Sequence, residues 1–114
     1  MRVRVLLVPN VNSERSVSAV GELTTWLAGA GYEAVLAAED AEACGLPDAG
    51  VSRSEIGEPG LVVALGGDGT ILKAVHLLGE ADSPVLGVNL GRLGFMAGAL
   101  ADDLRDAVET ALAG

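Results

Sequence analysis

The chain has 114 residues, enough for one domain of ordinary size. A net charge of −9 argues against a nucleic-acid or anionic-membrane surface. The single cysteine, Cys44, excludes an internal disulfide and any multi-cysteine metal site and reads as a small packed side chain. Half of the residues are hydrophobic and only 3% are aromatic, so the core must be built from Val, Leu, Ile and Ala. The opening MRVRVLLVPN could be mistaken for a signal peptide. Its apolar run, Val5 to Val8, is too short for one. No segment approaches the length of a membrane span, so a cytoplasmic location is the expectation.

Residues 2–8 alternate Arg with Val and then turn fully apolar, the pattern of a strand buried on both faces at its far end. Pro9 to Ser13 form a turn in which Asn12 or Ser13 can cap the following helix. Val17, Val20, Leu23 and Leu27, with Trp26 beside them, mark its apolar face, and Gly29-Ala30-Gly31 ends it. Tyr32 to Ala37 read as a second strand and Glu39 to Cys44 as a short helix closed by Gly45. Residues 45–60 contain two prolines and four glycines and read as a surface loop with one turn of helix at most. Arg53, the one base there, reads as a solvated charge.

Leu61 to Leu65 form a third strand, which stops at Gly66-Gly67-Asp68-Gly69-Thr70. A helix is expected over 70–78, with Ile71, Leu72, Val75 and Leu78 on its apolar face and His76 in a structural role. Gly79 to Ser83 turn the chain and Pro84 opens a strand at Val85–Val88. After the loop 89–94, Leu100, Leu104, Val108 and Leu112 mark a last helix, with Asp102, Asp103 and Asp106 early in it. Alternation of this kind means a parallel sheet with helices on both faces, an α/β three-layer sandwich. Ligands of such sheets bind at the carboxyl ends of the strands, where the strand order reverses. The loops 9–13, 66–70 and 89–94 all follow strands and are expected to open on that one edge.

The glycine turn carries the chemistry. Glycines admit backbone angles closed to other residues and let a ligand approach closely. The helix N-terminus behind them suits phosphate. Asp68 does not: a carboxylate 4 Å from a phosphate is repelled by about 1 kcal/mol in water and about 4 kcal/mol at an effective dielectric of 20. Asp68 should therefore face a metal ion or a hydroxyl that must lose its proton. The turn is neither a Walker A loop nor a GxGxxG fingerprint. The structural alternative is a plain strand-to-helix turn with Asp68 or Thr70 as the helix cap.

Two segments, Leu65 to Thr70 (LGGDGT) and Gly87 to Met96 (GVNLGRLGFM), make the chain resemble the NAD kinase family. GGDGT alone is shared with diacylglycerol and sphingosine kinases. In those lipid kinases the second stretch looks like PxGTGNDxA, whereas here Pro84 to Gly91 and Leu93-Gly94-Phe95 run as in NAD kinases. Gly98 departs from the pattern, since many members carry an acidic residue there. The resemblance extends to element order over nearly the whole chain.

The resemblance implies phosphoryl transfer from ATP, or polyphosphate in some members, to the 2′-hydroxyl of the adenosine ribose of NAD, giving NADP. Asp68 matches the catalytic aspartate, which can orient that hydroxyl and accept its proton. Gly66, Gly67, Gly69, Thr70, Lys73, Asn89, Gly91 and Phe95 fall at substrate- or nucleotide-binding positions, Phe95 by stacking near the adenine. For Lys73 the alternative is a solvated helix charge, for Asn89 a role in holding its loop, and for Phe95 core packing. Asn10, Asn12, Ser13 and Arg15 form a weaker candidate loop for the phosphate-donor side. A divalent metal, Mg²⁺ first among them, is implied with ATP and not by ligands from the protein alone. Residues 1–114 then correspond to the Rossmann-like N-terminal α/β domain of a two-domain kinase. The Asn-Glu/Asp motif and the β-rich C-terminal domain would lie beyond Gly114. The chain alone is expected to be inactive, and the full-length protein to form dimers or tetramers. Its partners are small molecules, not nucleic acid or membrane. The alternatives are a non-catalytic nucleotide-binding or regulatory module and, lower, a lipid kinase.

Overall fold

A computed structural model describes residues 3–88 and 106–112. The first strand, β1 (Arg4–Pro9), is buried from Val5 onward. Helix α1 (Glu14–Gly29) begins at Ser13, whose Oγ accepts from the Ser16 N–H at 3.3 Å. Of the two expected caps, Ser13 is the one used. The helix ends as its glycines predict. The Tyr32 N–H reaches back to the Leu27 carbonyl and the Gly31 N–H to that of Ala28. Gly31 takes the left-handed φ of 92° that this closure needs. Strand β2 (Glu33–Ala37) runs directly into α2 (Ala38–Ala43), which closes the same way through Gly45 at φ 72°.

The stretch 45–60 is more ordered than its composition suggests. It holds two short 3₁₀ turns, Pro47–Ala49 and Arg53–Glu55, around a two-residue strand, β3 (Gly50–Val51). A strand this short shows no alternation, and only its pairing with Leu36 and Ala37 defines it. Arg53 is not simply solvated: its Nη2 donates to the His76 carbonyl at 2.7 Å. The His76 side chain itself is exposed, so its expected structural part is played by its backbone. The remaining elements are β4 (Leu61–Leu65), α3 (Asp68–Leu78), β5 (Val85–Val88) and a helix over 106–112, here α4.

The five strands form one parallel sheet in the order β3-β2-β1-β4-β5. Val5 lies opposite Leu61 and Pro9 opposite Leu65, so the two central strands end level with each other. Alternate side chains go to opposite faces. Val5, Leu7, Leu61, Val63 and Leu65 join Val20, Leu23 and Leu27 of α1 and Val108 of α4. Leu6, Val8, Val62 and Ala64 join Ala74 of α3. Helices thus cover both faces, the three-layer α/β sandwich expected. Each of these fully buried Leu and Val side chains contributes roughly 1.5–3 kcal/mol. The half-exposed Arg4–Glu33 pair, 3.0 Å long, contributes about 0–1 kcal/mol. Apolar burial therefore fixes the sheet.

Helix α3 differs from expectation in its orientation. Leu72 and Val75 are 62% and 50% exposed. The side turned to the sheet carries Thr70 and Ala74, with Ile71, Leu77 and Leu78 packed against it. The helix is apolar nearly all round, so two stripes one residue apart fit the pattern equally well. Ile71 and Leu78 are common to both stripes, and Gly87 of β5 makes room for Ile71: a Cβ there would lie 2.8 Å from Ile71 Cδ1. Of the last helix, Leu100, Asp102, Asp103 and Leu104 lie outside the described residues, while Val108 is fully buried and Leu112 packs partly against the same core. Among the described residues, no helix is long and apolar enough to cross a membrane.

Candidate functional site

The strand order reverses between β1 and β4. From their level carboxyl ends one chain leaves for α1 on one face and the other for α3 on the opposite face, which opens a crevice between the two loops. The resulting cleft has a volume of about 430 Å³, within the range of small-molecule sites. Asn10 and Asn12 line it from the β1 side; Gly67, Gly69, Thr70 and Lys73 line it from the β4 side.

One hydroxyl joins the two sides. Ser16 of α1 is 1% exposed. Its Oγ accepts from the Asn10 N–H at 2.8 Å and donates to the Leu65 carbonyl at 2.7 Å. Asn10 folds its own loop: its Oδ1 accepts from the Asn12 N–H at 3.1 Å and its carbonyl from the Ser13 N–H at 3.0 Å. Of the four candidates in this loop, Asn10 and Asn12 reach the cleft. Ser13 is engaged as the cap of α1, and Arg15 is exposed and does not line the cleft. Ser16 is a site residue that sequence reading missed. The only signal it offered was membership of the first turn of a capped helix.

The glycines of the turn work differently from the expectation. None of Gly66, Gly67 and Gly69 has a positive φ; among the described residues those angles fall to Gly31, Gly45, Gly57 and Gly79. Gly66 is required by space. A Cβ there would lie 2.4 Å from Thr70 Oγ1, 3.0 Å from Thr70 Cβ and 3.3 Å from Asn10 Cβ. A Cβ on Gly67 or Gly69 would meet nothing within 4 Å, so these two leave open room in the cleft. Helix α3 starts with Gly67 as its cap residue and with no side-chain cap bond. Neither Asp68 nor Thr70 caps it; the Thr70 N–H turns back to the Gly67 carbonyl at 3.1 Å, and the N–H groups of Asp68 and Gly69 are left for solvent or a ligand. Asp68 is the first helical residue, two positions before the expected start. Asp68 is exposed; its chain neighbours Gly67 and Gly69 line the cleft, and Asp68 itself is not among the lining residues. Thr70 is buried and faces into the cleft.

Lys73 lies one turn further along. It is neither a freely solvated charge nor an unengaged one: its Nζ sits 2.5 Å from Oδ1 of Asp40, which is 2% exposed. Nearby, burial pushes the Cys44 thiol up, as does the negative charge of Asp40, with Lys73 partly offsetting them. Asp40 was hidden in the sequence among the acidic residues of Glu39 to Glu42, in a stretch read only as a short helix closed by Gly45. Asn89, Gly91 and Phe95 lie outside the described residues. Among the described residues no three His, Cys, Asp or Glu side chains gather to hold a metal ion.

The amino-acid sequence of this domain matches known proteins. The family model of the ATP-NAD kinase N-terminal domain matches residues 5–114. An NAD kinase from Geobacter sp. (strain M21) is 36% identical over 97% of this chain and 40% of its own length. One from Halorubrum lacusprofundi is 43% identical over 82% of this chain and 34% of its own, and one from Thermobifida fusca 42% identical over 69% and 27%. The chain thus spans well under half the length of the curated relatives it matches. With the family model covering residues 5–114 and the fold it describes in place, the chain belongs to the NAD kinase family.

Proposed function

We propose that this chain supplies the Asp68-bearing half of an NAD kinase site, which transfers a phosphoryl group from ATP, or polyphosphate, to the 2′-hydroxyl of the adenosine ribose of NAD. The observation that carries this reading is the placement of Asp68 at the exposed start of α3, between two glycines that line a cleft at the switch point. A carboxylate there suits a hydroxyl better than a phosphate. In the reaction the 2′-oxygen forms a bond to the terminal phosphorus and the bond to the leaving ADP oxygen breaks. ADP keeps that electron pair, and Asp68 takes the hydroxyl proton as general base. Gly67 and Gly69 admit the ligand close to the backbone, and the N–H groups of Asp68 and Gly69 at the start of α3 are left to meet its phosphates. A divalent ion would arrive with ATP and neutralise charge on the phosphates, because the described side chains do not assemble a site of their own. Asn89, Gly91 and Phe95 complete the binding surface in this reading.

Joining this chain to the C-terminal remainder of the Geobacter relative tests the reading. The 114-residue chain alone should form little or no NADP, and the chimera should form it. Asp68→Asn should lower kcat roughly 100-fold or more with an unchanged melting temperature. A chimera that makes no NADP, or an Asp68→Asn rate equal to wild type, would sink it. The position of Asp68 outside the cleft lining favours a second reading, a nucleotide-binding module without catalysis. Micromolar binding of NAD or ATP by calorimetry, with no turnover in the chimera, would establish that one instead.

A further inference from the structure

The ion pair between Asp40 and Lys73 has a dry end and a wet end. The Asp40 side chain is 3% exposed and the Lys73 side chain 36%, and it is Lys73 that lines the cleft. Removing a carboxylate from water costs several kcal/mol, so Asp40 is not a solvated charge that happens to touch a neighbour. Nor is it part of a finished structural network among the described residues, where its Oδ2 has no hydrogen-bond partner. Buried polar atoms are normally satisfied when their role is to hold a fold. Among the described residues, the one polar partner of the Asp40 carboxylate is Lys73. The chain's architecture puts it there: β2 runs into α2 without a loop, so the first turn of α2 rests at the carboxyl edge of the sheet, opposite α3. Lys73 is also the only lysine in the 114 residues. Its ammonium has three donors, and Asp40 Oδ1 takes one.

We propose that Asp40 is a positioning residue, which anchors the Lys73 ammonium in the cleft so that its remaining donors meet an anionic group of the bound dinucleotide. This rests on the kinase reading above. A lysine left free loses side-chain entropy when a ligand fixes it, a cost of about 10-fold or more in affinity. A lysine held beforehand by a buried carboxylate has already lost it, so the ligand binds more tightly with no new contact. Asp40 touches no substrate in this scheme and acts only through Lys73.

Two measurements test it. In the 114-residue chain, reductive methylation with ¹³C-formaldehyde reports on Lys73 alone once the N-terminal amine signal is set aside by its pH dependence. Lys73 should react several-fold faster in Asp40→Leu than in wild type, and an unchanged rate overturns the anchor. In the NADP-forming chimera, Asp40→Leu should raise the KM for NAD about 10-fold or more, the scale of the side-chain entropy of one freed lysine, with kcat within about twofold. Asp40→Asn, which keeps an acceptor of the same shape, should hold KM near or below wild type. In a Lys73→Met background Asp40→Leu should add nothing. Should Asp40→Leu fail to fold, the smaller Asp40→Ala is read by the same criteria. A lowered melting temperature with unchanged KM, or an equal further loss in the Lys73→Met background, makes Asp40 merely structural and overturns the proposal. A wild-type chimera that makes no NADP sinks the kinase reading and this role with it. NADP formation with an unmoved KM in Asp40→Leu overturns this role alone.

Discussion

The Ser16 hydroxyl accepts from the Asn10 N–H and donates to the Leu65 carbonyl, so one buried atom closes the seam beneath the cleft. Ser16→Ala leaves a buried donor and a buried acceptor without partners. It should cost roughly 1–3 kcal/mol in urea denaturation, with little change in slope. Two glycines of the same turn should respond to alanine in opposite ways. Gly66→Ala forces a Cβ against Thr70 Oγ1 and should destabilise by roughly 1–3 kcal/mol. Gly69→Ala meets no atom within 4 Å and lies inside α3, so it should stabilise by up to about 1 kcal/mol. In the kinase reading that same methyl group enters the cleft and weakens NAD binding, a divergence that melting and calorimetry on one variant would reveal. The glycine turn and Asp68 could be picked out from the sequence because strand, turn and helix adjoin in it. The different duties of Gly66 and Gly69 could not, because they depend on which atoms of Thr70 and Asn10 stand opposite. Ser16 and Asp40 were illegible for the same reason: their partners lie on other elements.

The exposed turn after β3 is held by a different device. Glu55 accepts from the Ser52 N–H at 3.0 Å and from the Ser52 hydroxyl at 2.8 Å. These bonds hold its carboxyl below the usual carboxylate range, with the Arg4 charge a smaller contribution. A carboxylate with a lowered folded-state pKa stabilises fully above its unfolded value. That contribution is lost as pH falls through the lowered folded value. Glu55→Gln should therefore lower stability slightly at neutral pH, leave it nearly unchanged in acid, and so flatten the limb below about pH 4; an unaltered acid limb in pH-dependent melts would refute the assignment. Elements with a clear period were legible: β1, α1, β2 and β4 fall within two residues of their expected bounds. What failed was orientation and brevity. Helix α3 is apolar on too many sides for its pattern to choose a face, and β3 is too short to have a pattern at all.

For the fold taken whole, alternation of strands and helices was enough to predict a parallel, doubly covered sheet. The order β3-β2-β1-β4-β5 was not predictable in the same way, since alternation does not say on which side of β1 each later strand lands. That order decides where the cleft is. It makes neighbours of β1 and β4, so Val5 pairs with Leu61, across a stretch of chain that contains α1, β2, α2 and β3. The pairing has a kinetic consequence. Contacts this distant in sequence form slowly, because the intervening chain must first be brought to closure. The two walls of the cleft meet only when this pairing is complete, so a partly folded chain offers a nucleotide no cleft to bind. Stopped-flow measurements with saturating ligand should then show slower unfolding and an unaltered refolding rate, because binding holds the finished molecule shut without helping to build it.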